Sequence, residues 1–147
     1  YQVFFNRDEI KSKQLDFDNI KQTVVNVLKE DPSVLYACDM AKASTESIPE
    51  EVKSRIINGY NRERSGDVVI ILKPNFYAHG MKGTDHGAWN SYDTHIPLVF
   101  MGWGIKHGAT TKQTFMTDIA PTIAAMLHVQ APNGCVGKAI FGNNICQ

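Results

Sequence analysis

The sequence predicts a chain of mixed helices and strands, of α/β or α+β class. Three observations carry that reading. Val68-Val69-Ile70-Ile71-Leu72 is a continuous apolar run bounded by turn residues, the pattern of a strand buried on both faces. Asp16 to Glu30 instead repeats its apolar residues at helical spacing. Both patterns occur within 147 residues, enough for one domain with a real core.

Taken in order, Tyr1 to Phe5 is aromatic and β-branched and reads as a strand entered from preceding residues. Asp16 can cap the next helix, with Phe17, Ile20, Val24, Val27 and Leu28 on one face, and Pro32 stops it. Ser33 to Cys38 reads as a short strand. Ser47-Ile48-Pro49-Glu50 has the form of a capping box for a helix whose apolar side is Val52, Ile56 and Ile57, ended by Gly59. Asn61 to Gly66 is a charged, turn-rich connection to the strand within Asp67 to Lys73, which Pro74 closes. Asn75 to Tyr92 is a long Gly-containing loop without apolar period, and loops of that length in compact domains are usually functional or disordered. Ile96 to Met101 reads as another strand, closed by Gly102-Trp103-Gly104. The last helix begins at Thr117, with Pro121 tolerated in its first turn and Ile119, Ile123, Met126 and Leu127 on one face. Pro132 to Gln147 is a Gly- and Asn-rich tail. There is no internal repeat and no low-complexity segment.

Composition narrows the functional classes. Hydrophobic residues make up 43% and charged residues 20%, as in soluble globular proteins. Fifteen basic and 15 acidic side chains cancel, which gives no electrostatic footprint for nucleic acid or an anionic membrane. No apolar run approaches the roughly 20 residues that span a bilayer. The chain opens at Tyr1 without an initiator Met or a signal peptide, which reads as a processed product or a piece of a longer protein. Cys38, in an apolar segment, reads as a buried free thiol. Cys135 and Cys146 are close enough in sequence to pair in an oxidising compartment, or to remain thiols. Without a Cys-x-x-Cys pattern a thiolate zinc site is disfavoured.

The chemistry-bearing run is Gly83-Thr84-Asp85-His86-Gly87. An imidazole between glycines can meet a metal ion without crowding; the alternative is a surface histidine in a turn, or one that supports a ligand. Asp85 either joins His86 at a metal or caps the turn through its own backbone. His79, His86 and His95 could form a self-contained zinc site, though their spacing fits neither helix nor strand. His95 reads better as a hydrogen-bonded structural histidine, and His107 and His128 as surface positions. Asp93 reads as a turn-forming residue ahead of Thr94 and His95. No Gly-x-Ser-x-Gly elbow, Walker loop or Gly-x-Gly-x-x-Gly run is present.

The stretch from Gly83 through Trp89 to Tyr92-Asp93-Thr94-His95-Ile96-Pro97-Leu98 resembles the closing metal-ligand segment of the alkaline phosphatase superfamily. That segment runs Gly-Thr-x-His-Gly, then Tyr-Asp-x-His-x-Pro-Leu, then a strand ending Gly-x-Gly-Ile, here Gly102-Trp103-Gly104-Ile105. Met116-Thr117-Asp118-Ile119-Ala120-Pro121-Thr122 is similar to the family's last helix, and Pro132 to Lys138 to its C-terminal turn. Tyr1 to Phe5, Ile48-Pro49-Glu50, Asn58 to Asn61 and Arg64 to Asp67 resemble the excursion before the last ligand. The pattern most resembles the bacterial phosphate-irrepressible type, in its C-terminal portion only.

The resemblance implies the C-terminal part of an α/β sandwich, with a mixed sheet and flanking helices. It implies a single domain or fragment over 1–147, with 1–74 as the excursion and 75–147 as the last ligand loop, strand, final helix and tail. It further implies a periplasmic or secreted, zinc-dependent phosphomonoesterase that hydrolyses phosphate esters through a phospho-enzyme. Two zinc ions serve the parent enzyme, and at most part of one site lies here. His86 carries over as a zinc ligand. Asp85 stands where a small residue is common and is a candidate additional ligand or a supporting residue behind the metal. The Thr or Ser nucleophile and the other ligands fall outside this chain, so no catalytic residue is assigned and the chain alone is expected to be inactive. The implied partners are a phosphate ester and the remainder of the parent catalytic domain, with self-association open to the isolated chain. The alternatives are a phosphodiesterase, nucleotide pyrophosphatase or sulfatase of the same superfamily, or a non-catalytic α/β binding module.

Overall fold

The apolar run Val68–Leu72 is the central strand of a three-stranded antiparallel sheet. The computed structural model describes residues 1–76, 86–102 and 104–141, in two compact units, Tyr1–Ile96 and Pro97–Gln147. The first unit contains β1 (Gln2–Val3), α1 (Arg7–Ser12), α2 (Phe17–Glu30), β2 (Val34–Asp39), a 3-10 turn (Met40–Thr45), α3 (Glu50–Gly59), β3 (Val68–Leu72) and α4 (Ser91–Thr94). The sheet order is β1-β3-β2.

Cross-strand register sorts the side chains. Cys38 opposes Val69 and Tyr36 opposes Ile71, while Ala37 opposes Ile70 and Asp39 opposes Val68. Directly opposed residues share a face. Cys38, Val69 and Ile71 pack with Met40, Ala43 and Ile56, and Tyr36, Ile48, Val52, Tyr60 and Trp89 close around them. The other face meets α2, where Lys21 Nζ donates to Asp39 at 2.6 Å. Val68 and Val69 are therefore both buried, as a strand covered on two sides requires.

The α2 helix begins as expected: the Asp16 carboxylate accepts from Asn19 N–H. Of the face expected to be buried, Phe17, Ile20, Val24 and Leu28 are half-buried, but the helix is centred on other residues. Lys21 and Val25 are buried and Val27 is exposed, because the helix turns its 17-21-25 row inward and the ion pair to Asp39 draws Lys21 with it. Burial works against the Lys21 charge, but hydrogen bonds to Asp39 and Asp18 outweigh it and hold its pKa above the ordinary lysine value. The Lys21 ammonium also lies 4.8 Å from the Phe17 ring centroid, within cation–π range.

Three expectations are corrected. The capping box at Ser47 does not form: Pro49 is the N-cap of α3 and no side chain bonds there, since proline starts the helix two residues beyond Ser47. Asn6 instead caps α1, a helix absent from the sequence reading, by accepting from Glu9 N–H. Ile96 to Met101 forms no strand. Val99 is 81% and Met101 95% exposed; an apolar strand needs neighbours on its edges and faces, and among the described residues none pairs with it.

The second unit is built on a 3-10 turn (Met116–Asp118) that leads into α5 (Ile119–Met126). Pro121, Thr122 and Ala124 are its buried residues; of the expected face Ile119 and Met126 are half-buried, while Ile123 and Leu127 are exposed. The small side of the helix is occupied by the tail. Thr122 Oγ1 accepts from Ile140 N–H at 3.0 Å. The Asp118 carboxylate accepts from Phe115 N–H and Lys138 N–H, and these bonds hold its pKa below the usual carboxylate range. A Cβ at Gly137 would lie 2.0 Å from the Thr117 carbonyl oxygen, so only glycine allows this approach. Cys38 is a buried free thiol; the expected partner of Cys135, Cys146, lies outside the described residues.

Candidate metal centre

Of the residues singled out from sequence, His79, Gly83, Thr84, Asp85 and Trp103 lie outside the described residues. His86 is described. Its loop is held at several points. Trp89 packs on the main core. The Tyr92 hydroxyl accepts from Asn75 N–H and from Asn90 Nδ2, each at 3.3 Å, and so joins the two ends of the loop. Asn75 itself has φ +68°, a left-handed conformation that Asn tolerates better than most side chains. Asn90 then starts α4 through bonds from Asp93 N–H and Thr94 N–H to its carbonyl.

That short helix places Asp93 behind His86. His86 Nδ1 lies 2.6 Å from Asp93 Oδ1. The second oxygen, Oδ2, accepts from Gly87 N–H and Ala88 N–H, both at 2.7 Å. The Asp93 side chain is 7% exposed whereas that of His86 is 89% exposed. The hydrogen bond from His86, joined by those from Gly87 and Ala88, holds the Asp93 pKa below the usual carboxylate value. Gly87 has φ +133°, which a residue with a Cβ rarely adopts, and this lets consecutive amides converge on one oxygen.

Sequence reading took Asp93 as a turn former and missed this contact. The signal was its place in the Tyr-Asp-x-His run, seven residues after His86. Which side chain faces which across such a turn depends on backbone geometry, and no periodicity encodes it. His95 is exposed at the C-cap of α4, its N–H bonded to the Ser91 carbonyl, and His107 and His128 are exposed as expected.

Among the described residues no group of three or more His, Cys, Asp or Glu is placed to hold a metal ion. The His86 imidazole is held through Nδ1 by Asp93, and its side chain is 89% exposed.

Over 95% of its length the chain is similar to alkaline phosphatases, and its structure superposes on part of one. It is 50% identical over 141 residues to alkaline phosphatase PafA of Elizabethkingia meningoseptica and 50% identical over 139 residues to alkaline phosphatase PhoV of Synechococcus elongatus. It is 46% identical over 142 residues to a Myroides odoratus protein named as a calcium-transporting ATPase. The crystal structure of wild-type PafA superposes with a TM-score of 0.88 at 50% identity, covering 95% of this chain and 27% of that one. The chain spans only about a quarter of the length of these relatives, 25% to 26%. No protein-family model matches it. The α/β class and the resemblance read from the motifs both hold.

Proposed function

We propose that this chain is the C-terminal portion of a periplasmic or secreted zinc-dependent phosphomonoesterase, and that His86 is a zinc ligand in it. The observation that carries the reading is the His86 imidazole. It is anchored through Nδ1 to a buried carboxylate and turned to solvent, in a chain half identical to two alkaline phosphatases. Asp85 remains a candidate further ligand or support. Two zinc ions would be shared with residues of the remaining polypeptide, and the substrate is a phosphate ester. The chemistry zinc supplies when bound is Lewis-acid stabilisation of the attacking and leaving oxygens, in a reaction that passes through a phospho-enzyme on a residue outside this chain.

The chain's own contribution is positional. The β1-β3-β2 sheet and its core hold Trp89. Trp89, Tyr92 and Asn75 hold the loop, and the loop presents one nitrogen donor. The test uses the full-length protein carrying this chain. His86→Ala is expected to lose one zinc of the pair and to lower kcat/KM for an aryl phosphate about a hundredfold or more, since a catalytic metal is worth several kcal/mol. Full zinc content with undiminished turnover would overturn the reading. Parallel assays with an aryl phosphodiester, an aryl sulfate and ATP separate the monoesterase from its superfamily alternatives. The ATP arm addresses the similarity to the protein named as an ATPase.

A further inference from the structure

Building on that reading, we infer that Asp93 is the positioning residue for His86: its carboxylate fixes the ring orientation and the tautomer that present Nε2 to the metal. Three contacts carry the inference. Asp93 Oδ1 takes His86 Nδ1 at 2.6 Å, and Oδ2 takes Gly87 N–H and Ala88 N–H at 2.7 Å each. An ionised carboxylate only accepts hydrogen bonds, so the ring must carry its proton on Nδ1. In a neutral imidazole the lone pair then resides on Nε2, the nitrogen directed away from Asp93. The same carboxylate binds the backbone on the C-terminal side of the histidine, so ring and main chain are fixed by one group. A carboxylate behind a ligating imidazole raises its basicity and sets its direction. Asp93 is itself tied down: its N–H bonds Asn90 O in α4, and its side chain is nearly buried.

Asparagine cannot replace it. Its single amide oxygen can face the imidazole N–H, which sets its NH2 against the backbone donors, or the two backbone N–H groups, in which case its NH2 donates to Nδ1 and forces the ring proton onto Nε2, the nitrogen the metal needs. Asp93→Asn is therefore a severe change despite its shape.

The experiment compares wild type, His86→Ala, Asp93→Asn and Tyr92→Phe in the full-length protein. Zinc affinity is read by competition with a chelator, and the His86 tautomer by nitrogen NMR on histidine-labelled protein. Tyr92→Phe removes the loop-closing bonds to Asn75 and Asn90 but leaves the Asp93 clamp, so it reports loop stability alone. Asp93→Asn is expected to weaken zinc about ten- to a hundredfold and to shift the tautomer, whereas Tyr92→Phe, which only loosens the loop, is expected to weaken zinc less and to keep the tautomer. Unchanged zinc affinity in Asp93→Asn, while His86→Ala loses zinc, overturns the positioning role and leaves the ligand role standing. Equal zinc loss in Asp93→Asn and Tyr92→Phe with the tautomer retained reduces Asp93 to a loop-stabilising residue and overturns it too. If His86→Ala keeps its zinc, the ligand reading fails and this inference with it. Should Asp93→Asn not fold, the wild-type ring decides, read in zinc-free protein at a pH alkaline enough to leave it neutral: an Nε2–H tautomer overturns the proposal and an Nδ1–H tautomer supports it.

Discussion

Single side chains in this molecule owe their chemistry to what surrounds them. Cys38 and His86 mark the two extremes. Cys38 is 1% exposed on the central sheet. Burial, with smaller contributions from the charges of Glu46 and Asp39, pushes its thiol up to about 11. The thiolate is the reactive form, so at pH 8 native Cys38 should resist alkylation and react only after denaturation. Peptide mapping after iodoacetamide treatment checks this, and labelling at the same rate with and without urea would contradict it. His86 is the reverse case, exposed but oriented. The histidine was legible in the sequence because glycine neighbours and the following motif mark it. Its partner Asp93 was not, because one residue type serves equally as a turn former and as a histidine acceptor. Only the path of the backbone between them separates the two roles.

At the scale of elements, the sequence foretells α2, α3, α5, β2 and β3, but not α1, and it expects a strand at 96–101 that does not form. Asp16 capped α2 where expected, and the apolar run at 68–72 became the central strand. On the inward face of α2 an apolar period cannot reveal a buried lysine. Lys21 is buried through its pair with Asp39, whose other oxygen caps the 3-10 turn at Ala41 N–H. Lys21→Ala should leave that carboxylate buried without its cation and cost about 3 kcal/mol or more, as breaking buried pairs does. Urea unfolding checks this, and a loss under about 0.5 kcal/mol, the scale of ordinary surface changes, would show the pair to be incidental. Because the folded-state Lys21 pKa is raised, the contribution is fully present below the ordinary lysine value. It fades as pH rises through the higher folded value, so wild type and Lys21→Ala should converge in stability only in strong alkali. On α5 the apolar stripe Ile123 and Leu127 faces outward because the tail claims the opposite side through Thr122 and Asp118.

At the scale of the whole molecule, the described residues leave several apolar side chains in solvent. Ile96, Val99, Met101, Ile123 and Leu127 are all exposed, and the chain matches about a quarter of its relatives' length. Under the proposed function those surfaces meet the remainder of the catalytic domain. The isolated 147-residue chain should then show no measurable aryl phosphate turnover with added zinc, and should self-associate as its concentration rises. Sedimentation and a phosphatase assay check both, and substantial zinc-dependent turnover by the isolated chain would refute the division of labour.

The sequence by itself determined the class, the central strand, the capped second helix and the histidine worth testing. Each of these follows from local residue order: apolar period, capping chemistry, and glycines beside an imidazole. Tertiary structure alone decided that Lys21 turns inward, that residues 96–101 pair with no strand among those described, and that Asp93 stands behind His86. Those outcomes depend on which distant groups meet, and pairwise contact across a turn or a sheet leaves no period along the chain.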